Sequence, residues 1–224
     1  MPLSQRQLTL DFGPPPPPTL ANFVTGRNGE CLAALRAMLT QLRSGVPPSR
    51  RFIYVWGPAG SGKSHLAAAL ASDGLGQLVV VDDCHRLSAE GQEQLFHRFN
   101  AITQTPSQAL VAFGDEPPAR LALMPELASR LGWGIVFALA PLDDDELQAA
   151  IEYAARERGL SIGADVSSYL LRHTRRDMGG LKALLDGLDR LSLQQKRPVT
   201  LPLLRTLLRD AGGDSRPPMP DRMP

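Results

Sequence analysis

Gly57-Pro58-Ala59-Gly60-Ser61-Gly62-Lys63-Ser64 decides how the rest of the chain is read. The stretch fits G-x-x-x-x-G-K-[ST] at every fixed position. Glycines let successive backbone N–H groups turn inward and cradle phosphate oxygens. At this spacing Lys63 reaches the β- and γ-phosphates and the Ser64 hydroxyl holds Mg²⁺. A helix opening near Lys63 aims its positive end at the same anion. The flanks agree with the motif: Phe52 to Trp56 is a short β-rich run, and an alanine-rich helix follows, ending near Gly74. The expected nucleotide contacts are Gly57, Pro58, Ala59, Gly60, Ser61, Gly62, Lys63 and Ser64, with His65 directly behind them. The expected ligand is a nucleoside di- or triphosphate with Mg²⁺.

Moving outward, Val79-Val80-Val81-Asp82-Asp83 supplies the usual companion of such a loop. A carboxylate at the end of a buried strand orients Mg²⁺ directly or through water. Asp82 is the expected metal residue. Asp83 stands where a general base, more often Glu, positions water. Only Ser64 to Gln77 separates the loop from this strand, one crossover helix and about the minimum for a parallel connection. The expected sheet is therefore parallel and shortened by one strand–helix pair.

Upstream, Glu30 to Leu42 carries Leu32, Leu35, Leu39 and Leu42 at a helical period, and Gly45 to Arg51 breaks it. Downstream, Ser88 opens a helix through Leu95, Phe96, Phe99 and Ile102. Leu78–Val81, Ala109–Phe113 and Ile135–Leu139 read as buried strands of a parallel sheet. From Asp143 the strands stop. Asp143 with Glu146 forms a capping-box pattern and Gly159 closes the helix. Further helices are expected over Asp165–His173, from Asp177 with Leu181, Leu184, Leu185, Leu188 and Leu191 on one face, and after Pro202. The expected architecture is an α/β core, residues 19–141, followed by an all-helical lid, residues 142–211. Residues 1–18 form an extended peptide with a proline spacer at Pro14 to Pro18, and residues 212–224 a disordered tail.

Composition excludes several classes. With 43% hydrophobic and 21% charged residues, the 224-residue chain is an ordinary globular one. Its formal net charge of +1 gives no bulk field towards DNA or a membrane surface. No apolar run approaches a membrane span and no signal-peptide pattern opens the chain, so a cytoplasmic protein is expected. Cys31 and Cys84 read as reduced thiols. His65, His85, His97 and His173 lack metal-ligand spacing, and Trp56 and Trp133 read as packing residues.

The order of these pieces resembles the AAA+ domain of the DnaA family, and in particular its short Hda-type branch, from about Gln7 to Leu208. Three stretches beyond the phosphate loop carry the likeness. Gly114-Asp115-Glu116-Pro117-Pro118, after a buried strand, resembles the sensor-1 segment, with Asp115 at the position that watches the γ-phosphate. Glu126-Leu127-Ala128-Ser129-Arg130-Leu131-Gly132-Trp133-Gly134 is similar to the segment that carries the arginine finger, so Arg130 is the implied finger. Such an arginine acts across an interface, forking onto the partner's γ-phosphate. Gln7-Leu8-Thr9-Leu10-Asp11-Phe12 resembles the peptide that docks bacterial proteins on the DNA polymerase III sliding clamp (β subunit), with Gln7, Leu8, Leu10 and Phe12 as its contacts.

The resemblance implies a negative regulator of bacterial replication initiation. It would hold ADP or ATP with Mg²⁺, be tethered to the sliding clamp, and stimulate ATP hydrolysis by DnaA. DNA would be reached only through the clamp, no membrane is implied, and a homo-oligomer is compatible with it. One departure bears on activity. The position matching the lid's sensor-2 arginine, within Arg176-Asp177-Met178-Gly179-Gly180-Leu181, is Gly179, with Arg175 and Arg176 nearby at a different spacing. Little or no intrinsic hydrolysis is therefore implied. The competing reading is a self-sufficient AAA+ ATPase of the helicase-loader type.

Overall fold

The computed structural model describes residues 17–157, 159–160, 162–173, 185–189, 200–202 and 204–205. The chain divides into two compact units, one running to Asp143 and one starting at Asp144.

The first unit is built on four parallel strands, β1 (Phe52–Trp56), β2 (Leu78–Val81), β3 (Ala109–Gly114) and β4 (Ile135–Ala138), in the spatial order β2-β3-β1-β4. Helix α1 (Gly29–Arg43) precedes the sheet, and α2 (Lys63–Ser72) alone connects β1 to β2. Helices α3 (Ala89–Thr103) and α4 (Pro125–Trp133) follow β2 and β3. The chain leaves β1, skips one position to lay down β2, and returns to fill the gap with β3. β4 then crosses to the other side of β1. Strand order therefore reverses at β1, and in open α/β sheets the crevice beyond the carboxyl ends at such a point is where ligands bind.

Strand side chains alternate between faces, and the two faces hold separate cores. Ile53 and Val55 of β1 join Val111 and Phe113 of β3 against Leu35, Met38 and Leu39 of α1 and Leu66 and Leu70 of α2. Tyr54 joins Leu110 and Ala112 against Leu95, Phe99 and Ile102 of α3 and Leu127 and Leu131 of α4. Burying each large apolar side chain contributes roughly 1.5–3 kcal/mol, so these two layers are what hold the sheet.

Of the strands expected to be buried, β3 is buried at every residue, but β2 is half-buried and β4 alternates between half-buried and exposed. The sequence runs look alike because all are apolar and short. The difference is positional: β2 and β4 are the two edges, where the covering helices no longer close over the side chains. As the short spacing implied, α2 alone joins β1 to β2, and among the described residues no further strand lies beyond β2.

Helix ends are satisfied by particular side chains, near in sequence or far. Ser88 caps α3 by accepting from the Gly91 N–H at 3.2 Å. At the other end, the Arg51 guanidinium donates to the Ile102 and Thr105 carbonyls, each at 2.9 Å, where a cation meets the negative end of the helix. Buried Asn28, just before α1, donates to the Ala140 carbonyl at 2.9 Å and accepts from its N–H at 2.8 Å.

In the second unit, α5 (Asp144–Glu157) ends at Gly159, which has φ +71°, and α6 (Ala164–His173) follows. Residues 185–189 are also helical. Leu147, Ile151, Ala155, Val166, Leu170, Leu185 and Leu188 are buried. Arg175, Arg176 and Gly179 lie outside the described residues, as do the clamp-peptide positions Gln7, Leu8, Leu10 and Phe12. Among the described residues no helix is long and apolar enough to cross a membrane.

Candidate functional site

The phosphate loop leaves the carboxyl end of β1, the central strand at which the order reverses. Trp56 pairs with Gly114 on one side and Ala138 on the other. The Gly57 N–H donates to the Gly114 carbonyl at 3.3 Å, and a Cβ on Gly57 would lie 2.3 Å from the Leu139 carbonyl oxygen. The loop can therefore pass between its neighbours only as glycine. Gly60 and Gly62 take left-handed φ of +82° and +97°, and Gly62 is the residue from which α2 starts. Successive turns of this kind are what point N–H groups into one concavity.

Lys63 is the first residue of α2 and is buried. Its ammonium donates to the Gly57 carbonyl at 2.6 Å and the Pro58 carbonyl at 3.0 Å, so it is held across the loop rather than in bulk water. Ser61 Oγ is buried with no hydrogen-bond partner in the protein. A buried polar atom left without a partner costs about 1–3 kcal/mol and is a donor or acceptor waiting for one. Left-handed glycines, a helix N-terminus, a fixed ammonium and an unmatched hydroxyl fit a di- or triphosphate. Pro58, Ala59, Gly60 and Ser64 are exposed around them.

His65 is placed differently. Its Nε2 is 3.0 Å from the Thr19 carbonyl oxygen, and its ring faces Phe23 at 5.6 Å. The Phe23 ring in turn lies 2.7 Å from where a Gly62 Cβ would stand. His65 thus ties the segment before α1 to the first turn of α2.

The carboxylates gather at the ends of β2 and β3. Asp82, exposed, accepts from the Asp83 N–H at 2.9 Å. Asp83 is the one non-glycine residue among those described with positive φ, +48°. That conformation turns its carboxylate along the short 3₁₀ turn Cys84–Arg86, to 3.4 Å from the Arg86 guanidinium. Asp115 Oδ1 is 3.5 Å from Nδ1 of largely buried His85. His85 lacks metal-ligand spacing, so that pattern does not single it out. The available signal was its place two residues after Asp83, in the same turn.

Beneath this turn, the Tyr54 hydroxyl donates to the Glu116 carbonyl at 2.8 Å and lies 3.9 Å from Cys84 Sγ. Burial pushes the Cys84 thiol up to about 11, and pushes the Tyr54 phenol up as well. Both stay neutral at physiological pH and act as structural pins. Among the described residues no three of His, Cys, Asp and Glu cluster as a metal cage. Mg²⁺ commonly takes one or two protein ligands and the rest from phosphate and water, a set that Ser64 and Asp82 suit.

Arg130 is elsewhere. It lies in the last turn of α4, with its guanidinium carbon 5.5 Å from the Trp133 ring centre. Trp133 stacks on Phe52 at 6.0 Å, and Phe52 is the first residue of β1. The phosphate loop begins after that strand's last residue, and five extended residues span about 17 Å. The guanidinium therefore sits at the opposite end of the sheet from its own phosphate loop. Trp133, expected as a packing residue, is 62% exposed and packs through only part of its surface.

The family model for the Hda lid domain matches residues 143–208, and that for the bacterial DnaA ATPase domain matches residues 75–138. Domain III of the replication initiation protein DnaA from Thermotoga maritima superposes with a TM-score of 0.64 at 19% identity, over 94% of this chain and 98% of that one. The chain is an AAA+ protein related to DnaA and Hda. AMPPCP-bound DnaA from Aquifex aeolicus matches at TM-score 0.61 and 23% identity, over 80% of this chain and 68% of that one. The Holliday junction branch migration motor RuvB from Thermotoga maritima matches at TM-score 0.59 and 19% identity, over 89% of this chain and 75% of that one. At these identities the solved structures speak to the fold. In this DnaA- and Hda-related chain, that fold keeps the P-loop and the acidic strand end on one side of the sheet and Arg130 on the other.

Proposed function

We propose that the protein holds an adenine nucleotide at Gly57–Ser64 and acts on DnaA as a negative regulator of replication initiation. It lends Arg130 to the ATP site of DnaA while residues 7–12 tether it to the sliding clamp. The observation that supports this reading is the separation of Arg130 from its own phosphate loop: a guanidinium at the far end of β1 is out of reach of its own site, as a group lent to a neighbouring molecule would be. Guanidinium stays charged and forks onto phosphate oxygens, so it stabilises the charge that builds as the terminal phosphate leaves. Within this chain, Lys63 and the loop N–H groups hold the bound phosphates, and Ser64 with Asp82 would hold Mg²⁺. The Hda lid match and the structural likeness to DnaA support the choice of DnaA as partner.

The test is ATP hydrolysis by ATP-loaded DnaA in the presence of clamp loaded on DNA. The intact chain should stimulate it strongly, and Arg130→Ala should not, while still binding labelled ADP. Normal stimulation by Arg130→Ala would remove the finger assignment. The complete P-loop with Asp82 and Asp83 beyond the same sheet end favours one other reading, a self-sufficient ATPase. That reading requires steady ATP turnover by the isolated chain and its loss in Asp82→Ala. Asp83 standing in left-handed backbone with its carboxylate 3.4 Å from the Arg86 guanidinium, where a general base would have to face water and phosphate, favours the regulator.

A further inference from the structure

We propose that Trp133 is the positioning residue for Arg130, holding the guanidinium in place before any partner arrives. The inference rests on the reading of Arg130 as the group lent to a neighbour's nucleotide.

Four observations meet here. The Arg130 guanidinium carbon is 5.5 Å from the Trp133 ring centre. Trp133 is braced from beneath: it lies 6.0 Å from the Phe52 ring and 6.1 Å from that of Phe99, which is only 1% exposed and itself stacks on Phe52 at 4.2 Å. The backbone next to it is pinned, since a Cβ on Gly134 would stand 2.1 Å from the Phe52 carbonyl oxygen. Yet the indole remains 62% exposed. A rooted aromatic that keeps most of its surface in water is a platform.

Among the described residues no carboxylate pairs with Arg130. A carboxylate would fix the side chain equally well, but it would neutralise the charge and occupy the N–H fork. An aromatic face restrains the cation through the ring quadrupole and leaves the N–H edges free to reach phosphate. The arrangement therefore restricts a side chain with high rotamer entropy without consuming the donors it needs on arrival.

The test uses full-length Trp133→Ala and Trp133→Phe beside Arg130→Ala, titrated into ATP-loaded DnaA with DNA-loaded clamp. Maximal stimulated rate and half-saturating concentration are fitted separately. Positioning predicts that Trp133→Ala lowers the maximal rate about three- to ten-fold, the range for a lost exposed cation–π contact and one newly mobile side chain. Half-saturation should stay within about twofold, and Trp133→Phe should recover most of the rate because it keeps a ring face. A full maximal rate for Trp133→Ala, a change in half-saturation alone, or no recovery with Phe would each overturn the proposal. If Arg130→Ala also stimulates fully, the finger reading itself has failed, which is a separate result. Should Trp133→Ala fold poorly, emission of Trp133 in a Trp56→Phe chain decides: it should shift on Arg130→Ala, and an unchanged spectrum would overturn the contact.

Discussion

Gly114 is glycine because of Tyr54. A Cβ at Gly114 would stand 2.0 Å from the Tyr54 hydroxyl, which is committed to the Glu116 carbonyl at 2.8 Å. Gly114→Ala must therefore push a buried phenol off its partner or move the end of β3. The expected cost is about 1–3 kcal/mol, read as a lower denaturant midpoint with an unchanged slope. An unshifted midpoint would mean Tyr54 has room that the geometry denies it. The two thiols give a pH prediction. Burial raises Cys31 to about 12 and Cys84 to about 11, from an ordinary value of 9.0. The native state thus keeps both protons where the unfolded chain loses them. Their contribution to stability is complete below pH 9 and is lost as pH rises through about 11 to 12. Unfolding free energy should fall over that alkaline window, and less steeply in Cys84→Ala. At pH 8 both thiols should resist alkylation until denaturant is added. Fast labelling of the native protein would contradict their burial.

At the scale of elements, α3 shows what a sequence displays and what it hides. Its N-terminus was legible because the cap is local: Ser88 meets the N–H three residues on. Its C-terminus was not, because the group that satisfies the Ile102 and Thr105 carbonyls is Arg51, about fifty residues earlier. The two contacts are independent, so their losses should add. Ser88→Ala should cost about 1 kcal/mol and Arg51→Ala a similar amount. Because the sites lie at opposite ends of a 15-residue helix, the double variant should reach the sum within about 0.5 kcal/mol. A shortfall larger than that in urea unfolding would show the helix ends to be coupled. The same contrast runs through the site. The shape of the loop was readable because its glycines and the helix start at Lys63 are contiguous in the chain. The His85–Asp115 pair, and the brace of Phe52, Phe99 and Trp133 under Arg130, were not readable. The first is brought together by the parallel pairing of β2 with β3, and the second by the packing of α3 and the end of α4 against the start of β1, from residues distant in the chain. Edge and centre also went unread, because apolar runs as similar as those of β2, β3 and β4 differ in burial only once strand order is known.

For the whole molecule, the proposed tether and the proposed finger are different devices, and concentration separates them. Arg130 acts on the chemical step in the partner, so its removal should abolish stimulation at every concentration of the chain. Residues 7–12 would act only by keeping the chain near loaded clamp. A link that lets both sites engage at once raises the effective concentration of the chain beside its partner, which matters greatly when the chain is dilute and little when it is abundant. A variant lacking residues 1–12 should therefore fail to stimulate DnaA at nanomolar concentrations with DNA-loaded clamp. Its stimulation should return as the chain is added to high micromolar levels, towards the same maximal rate as the intact protein. The intact chain without clamp should trace the same weak curve as the truncated chain with it. ADP binding should be equal in both, since the phosphate loop lies far along the chain from the deletion. If the truncated chain responds to loaded clamp at nanomolar concentration as the intact one does, residues 7–12 are not the tether. If its maximal rate is lower even at saturation, the segment contributes to the chemical step and the separation of the two devices is wrong.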